Sequence, residues 1–281
     1  MPNNYTVTNY QLQAWAKFLP WCPYHKEVND FSTFDMFMDK LKSGENFHVA
    51  RYNDGEWVFM HRIQPHFNRF VAKNGHNLAE IIDISARLSK IYDSYPDYYI
   101  GIDSTTRALK GLVTPGKQGV EKRIKLTKNL IYGDVFNAAT IKYGIKCFTD
   151  PLADRYVITV GPKHMVNLGI SDKHVTTPHN NCWRDSEVIE SKVQKLLDEC
   201  LDKNPVILYS CSLLAKLLVD IFYNKYKDDI TQMDIGSCID PWCGIFSRPW
   251  HTDIITYYNR YQKGQNGTTY KTESEKMIEG Q

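Results

Sequence analysis

The 281-residue, 32.6 kDa chain carries 34 Lys and Arg against 32 Asp and Glu, a formal net charge of +2. That near balance excludes a strongly cationic nucleic-acid coat, and 42 % hydrophobic with 23 % charged residues excludes a mostly disordered chain. No run of about 18 apolar residues occurs, so no membrane span is expected.

The opening MPNNYTVTNYQLQAW has no charged segment followed by an apolar core, so no secretory signal is expected. Residues 1–45 read as a helical extension packed on the core: TNYQLQAWAKFL and Phe31 to Leu41 repeat at helical spacing, separated by Pro20 and Pro23. FHVARY (47–52) is a short strand running into the turn-prone Asn53-Asp54-Gly55, and EWVFMHRI can start a helix. Asn77 caps an amphipathic helix with Leu78, Ile81, Ile82, Ile84, Ala86 and Leu88 on or beside its apolar face.

From there strands and helices alternate. YYIGI (98–102) is a strand, 119–143 is helical or mixed, and YVITV (156–160) is a buried strand ended by Gly161-Pro162. HVTTP (174–178) is a short strand, and Asp185 to Leu201 a helix with Val188, Ile189, Val193, Leu196 and Leu197 inward. VILYS (206–210) precedes the apolar helix SLLAKLLVDIFYNKY (212–226), and MDIG (233–236) is a further strand. This alternation predicts an α/β, Rossmann-like fold with a mostly parallel sheet flanked by helices, in one domain over 46–257. Residues 258–281 are polar and weakly periodic and read as a flexible tail. The seven cysteines include no Cys-x-x-Cys pair, as expected of reduced thiols in a cytoplasmic protein.

Three constellations can carry chemistry. Asp54 and Glu56 flank Gly55 at a strand end, where two carboxylates suit a hard divalent ion holding a diphosphate; a solvated turn is the alternative. Ser210-Cys211-Ser212 joins a strand to a helix start, an anion site or an ordinary βα connection. Asp234-Ile-Gly236-Ser237 and Asp240 end the last strand, followed by Arg248 and His251, and a lone Arg or His there is more often structural. Gly111 to Gln118 nearly spells a phosphate loop, but Gln118 replaces the magnesium-binding Ser/Thr and Pro115 removes a backbone donor. No His-Glu-x-x-His, Gly-x-Ser-x-Gly or Gly-x-Gly-x-x-Gly motif occurs.

In this order, over residues 45–255, these features resemble the GT-D class of glycosyltransferases. Arg51-Tyr-Asn-Asp54-Gly55-Glu56 is similar to that family's Arg-Phe-Gly-Asp-Gly-Glu segment with its Asp-x-Glu metal motif. Val160-Gly161-Pro162, Asn181 to Asp185, VILYSCSLLAKLL and Asp234-Ile-Gly236-Ser237 continue the likeness, with Asn53 and Cys211-Ser212 as departures from Gly and Gly-Pro.

The resemblance implies a metal-dependent enzyme moving a sugar from a nucleotide diphosphate sugar, a UDP-sugar by expectation, to a hydroxyl on a glycan, glycoprotein or modified DNA base. It implies Mn2+ or Mg2+ on Asp54, Glu56 and His251, and phosphate pairing by Arg51 or Arg248. Gly55, Ser210, Ser212, Gly236 and Ser237 would line the donor site, and Asp134, Asp234 and Asp240 are candidates for the general base. The basic run Lys117 to Lys128 would follow a nucleic-acid backbone or form a solvated helix face. A metal-dependent phosphoesterase and a non-catalytic nucleotide-binding module are the competing readings.

Overall fold

The computed structural model describes residues 31–61, 67–68, 71–72, 75–102, 126–247 and 251, apart from the side chains of residues 54, 138, 141 and 142. The helical lead-in before residue 31, the near phosphate loop, residues 117–125 of the basic run, Arg248 and the tail lie outside the described residues.

Helix α1 (Ser32–Ser43) leads into β1 (His48–Tyr52) and, directly after it, α2 (Asp54–His61). Helix α3 (Leu78–Asp93), β2 (Tyr99–Ile102), β3 (Leu130–Tyr132), α4 (Val135–Tyr143) and α5 (Lys146–Thr149) follow. The second half comprises β4 (Val157–Gly161), β5 (Lys173–Thr176), α6 (Ser186–Asp198), β6 (Val206–Tyr209), α7 (Leu214–Tyr226) and β7 (Thr231–Asp234).

The described strands form one sheet in the order β3-β2-β1-β7-β6-β4-β5, and every pairing in it is parallel. The expected α/β class with a parallel sheet is therefore the observed one. A parallel sheet is covered on both faces, which is why β1, β4 and β6 are buried at every position and β4 and β6 are rich in Val, Ile and Leu. In β1 the side chains of His48 and Arg51 are buried as well. Right-handed crossovers put α3, α6 and α7 on one face and α4 on the other. On the α4 side, Phe37 of α1 stacks on Phe47 at 4.8 Å and tilts against Phe136, which meets Phe148 edge-on. Helix α1 thus belongs to the same core as the sheet.

The connections set the position of any ligand. Strand β4 sends its chain outward to the edge strand β5, whereas its neighbour β6 sends its chain the opposite way, to β7. Where adjacent strands diverge like this, the crevice outside their carboxyl ends is the ligand side of a doubly wound sheet.

Several details differ from expectation. Leu78 and Ile82 are 72 % and 51 % exposed and Ala86 is also exposed, because residues four apart drift to the outer side while Ile81, Ile84 and Leu88 face inward. Val188 of α6 likewise points outward, at 55 %. Within 119–143 lies a strand, β3, of only three residues, too short to set up a recognisable alternation. The six described cysteines are free thiols, and among the described residues no helix is long and apolar enough to cross a membrane.

Candidate active site

Parallel register brings the carboxyl ends of β1, β7, β6 and β4 side by side. Arg51 lies opposite Gly101, and Tyr209 pairs with both Asp234 and Val160. The Arg51 side chain runs in the space left by two glycines. A Cβ on Gly101 would come within 3.3 Å of Arg51 Cγ, and one on Gly236, whose φ is +54°, would collide with Arg51 Nη1. Its guanidinium donates from Nη1 to the Ile235 carbonyl at 2.9 Å and from Nη2 to Asp134 Oδ1 at 2.8 Å. The phosphate role that the resemblance implies for Arg51 or Arg248 does not match the placement of Arg51: the side chain is 4 % exposed and ties β1 to the loops after β3 and β7.

Glu56 and Asp234 share a cation from the chain itself. Lys216, in the first turn of α7, places Nζ 2.7 Å from Glu56 Oε1 and 2.9 Å from Asp234 Oδ2, and donates to the Ser212 carbonyl at 3.1 Å. All three ammonium protons thus have acceptors. Burial opposes the charge, but the two carboxylates outweigh it and hold the ammonium above its usual range. Burial also pushes the Glu56 carboxyl up, against the pull of Lys216. Asp234 accepts further bonds from the Arg51 and Gly236 N–H groups at 3.0 and 3.2 Å, which fixes the β7 end against β1.

This arrangement bears on the metal. Glu56 Oε2 accepts the Asn53 N–H at 2.8 Å while Oε1 holds Lys216, so both oxygens of this 4 % exposed carboxylate are engaged. A divalent ion on Glu56 would have to displace the ammonium or sit against it, and like charges at that separation repel. The described donors do not fit a metal there, and among the described residues no group of three His, Cys, Asp or Glu side chains could hold one. Asp54 begins α2 at the β1 end, its side chain outside the description. His251 is wholly buried. Glu56 is the counter-ion of a buried lysine, where the sequence reading has it as an open metal ligand.

The general-base candidates separate in the same way. Asp134 carries the Arg51 ion pair and accepts from Asn137 at 3.3 Å. Asp234 is enclosed by its three donors. Asp240, in the short 3-10 segment Asp240–Cys243, binds His164 Nε2 through Oδ1 at 2.8 Å and accepts from Ser247 Oγ through Oδ2 at 2.5 Å. Of the predicted donor-site residues, Gly55 is buried in the first turn of α2, while Ser210, Gly236 and Ser237 are half-buried at strand ends. Ser212 is exposed at the β6–α7 bend with φ +53°, left-handed backbone that a side chain rarely adopts.

The sequence reading missed Lys216 and His164. A lone charge inside the apolar run LLAKLLV was a usable signal for Lys216, since a buried lysine demands acidic partners. His164 stands three residues beyond β4, on the ligand side of the sheet.

The fold and strand-end cluster define a doubly wound α/β protein with its polar machinery at the carboxyl edge. No protein-family model matches the chain, and no curated protein matches it. Among solved structures it is similar to a new glycosyltransferase (DUF1792) from Streptococcus sanguinis, at 16 % identity and TM-score 0.48, over 84 % of this chain and 85 % of the other. A selenomethionine-substituted domain of unknown function 1792 is similar at 14 % identity and TM-score 0.47, over 85 % and 88 % of the two chains. A further structure, described as the highly conserved domain of unknown function 1792 with a distinct glycosyltransferase fold, is similar at 15 % identity and TM-score 0.44, over 83 % and 80 %.

Proposed function

We propose that this chain is a glycosyltransferase that moves a sugar from a UDP-sugar to a hydroxyl of a glycan, glycoprotein or modified DNA base. One observation carries the reading. Of the segments whose order resembles the GT-D class, spread from Arg51 to Ser237, those that leave strands do so at the neighbouring carboxyl ends of β1, β7, β6 and β4, where β4 and β6 diverge. A binding crevice at that edge is the usual place for a nucleotide in a doubly wound sheet.

In this reading the diphosphate lies at the N-terminal end of the 13-residue α7, where the helix dipole favours an anion. Ser212, at the bend, offers its exposed hydroxyl and the adjoining backbone. The Glu56–Lys216–Asp234 cluster keeps the α7 start, the β1 end and the β7 end at fixed separation, so the donor meets a rigid floor. Arg51 acts from below, fixing the Gly236 loop over which the nucleotide passes. No step runs through a metal ion on Glu56.

The test is turnover. A panel of UDP-sugars, assayed for UDP with and without p-nitrophenyl glycosides or duplex DNA, and with either manganese or EDTA, should give acceptor-dependent UDP release. Release of phosphate from simple phosphoesters without UDP release would favour a phosphoesterase. Nucleotide binding without turnover would favour a binding module.

A further inference from the structure

Resting on the glycosyl-transfer reading, we propose that His164 is the base that takes the acceptor's proton, with Asp240 as its positioning residue and Phe246 as the wall of the acceptor subsite. His164 follows β4 and Asp240 follows β7, so their 2.8 Å bond bridges two loops at the divergence point of β4 and β6. The loop is rigid. Gly161 has no Cβ where Met165 Sδ packs, Met165 is wholly buried, and its N–H donates to the Pro162 carbonyl at 3.0 Å.

Asp240 is 4 % exposed and its other oxygen is fixed by Ser247, so it acts on the imidazole as a held acceptor. A carboxylate on Nε2 selects the tautomer with hydrogen there, which leaves the Nδ1 lone pair to accept a proton. Among the described residues no hydrogen bond is made to Nδ1, and the His164 side chain is 14 % exposed. Two exposed apolar side chains lie near the His164–Asp240 pair in sequence: Val166, at 43 % exposure and two residues after His164, and Phe246, at 49 %, next to the Ser247 that fixes Asp240. An exposed aromatic one residue from the serine that fixes the pair's carboxylate suits a sugar ring, which offers an apolar face for packing and hydroxyls for hydrogen bonding.

The step balances as a single displacement. The acceptor O–H proton passes to His164 Nδ1 as the acceptor oxygen bonds to the anomeric carbon. The bond from that carbon to the diphosphate oxygen breaks, its electron pair leaving with UDP, and the imidazolium then releases its proton to water. One displacement inverts the anomeric centre.

The experiment uses the full chain with whichever UDP-sugar and p-nitrophenyl glycoside give turnover. His164→Ala should lower kcat by about 10²–10⁴-fold with UDP affinity within about twofold of wild type, and added imidazole should restore part of the rate. Asp240→Asn should lower kcat with little change in acceptor KM, whereas Phe246→Ala should mainly raise acceptor KM. The product anomer, read by NMR, should be inverted. Near wild-type kcat in His164→Ala, or retained configuration, would overturn the base while leaving the glycosyl-transfer reading standing. A wild-type chain that binds UDP yet transfers to no acceptor overturns both.

Discussion

At the scale of single residues, the organising feature is a lysine with no exposure to spare. Lys216 neutralises two carboxylates that would otherwise be buried charges, and removing one partner of such a cluster is far costlier than never having built it. Lys216→Met should lower unfolding free energy by about 3–5 kcal/mol in urea titrations, and adding Glu56→Gln should recover part of that loss. An additive double variant would show that the two groups do not interact. The turn around Gly55 was legible in the sequence as a strand end bearing carboxylates. The pairing was not: the lone lysine in LLAKLLV signals a need for acidic partners, but nothing in Asn53 to Trp57 says that Glu56 is one of them. The surroundings of Arg51 were illegible for the same reason: the resemblance implies phosphate pairing by Arg51 or Arg248, and nothing in the sequence brings Gly101, Gly236 and Asp134 around the Arg51 side chain.

At the scale of elements, local chemistry was readable where it was periodic and capped. Asn77 accepts the Glu80 N–H at 2.9 Å while the Glu80 carboxylate accepts the Asn77 N–H at 3.1 Å, a reciprocal box that starts α3. Asn77→Ala should cost about 1 kcal/mol, measured as a lowered urea midpoint with unchanged slope. What the apolar pattern could not decide was which apolar residues face in. Leu78, Ile82 and Ala86 and the inward Ile81, Ile84 and Leu88 are interleaved along the same helix, and only packing against α2 and α7 separates them. Strand β3 carried too few residues for any period to show.

At the scale of the whole molecule, alternating strands and helices were enough to give a parallel α/β sheet, whereas the strand order was not legible because pairing partners lie far apart in sequence. That order matters for stability as well as for the site. His48 of β1 is 4 % exposed, with Nδ1 bonded to Gln232 of β7 at 3.0 Å and Nε2 to the Lys227 carbonyl at 2.8 Å. Burial lowers its pKa from 6.5 to about 4. The folded chain therefore resists a proton that the unfolded chain accepts. Stability should be full above pH 6.5 and fall by about 3 kcal/mol as the pH drops from 6.5 to 4. Urea unfolding of wild type and His48→Asn across that window checks it, since the variant should lose this part of the pH slope.

The claim that the carboxyl edge of β1, β7, β6 and β4 is the donor site is tested most directly by amide hydrogen exchange with and without UDP. Saturating UDP should slow exchange in peptides covering 51–57, 161–168, 209–214 and 234–241 and leave the opposite edge of the sheet unchanged. Protection confined to the amino-terminal ends of the strands, or none at millimolar UDP, would contradict it.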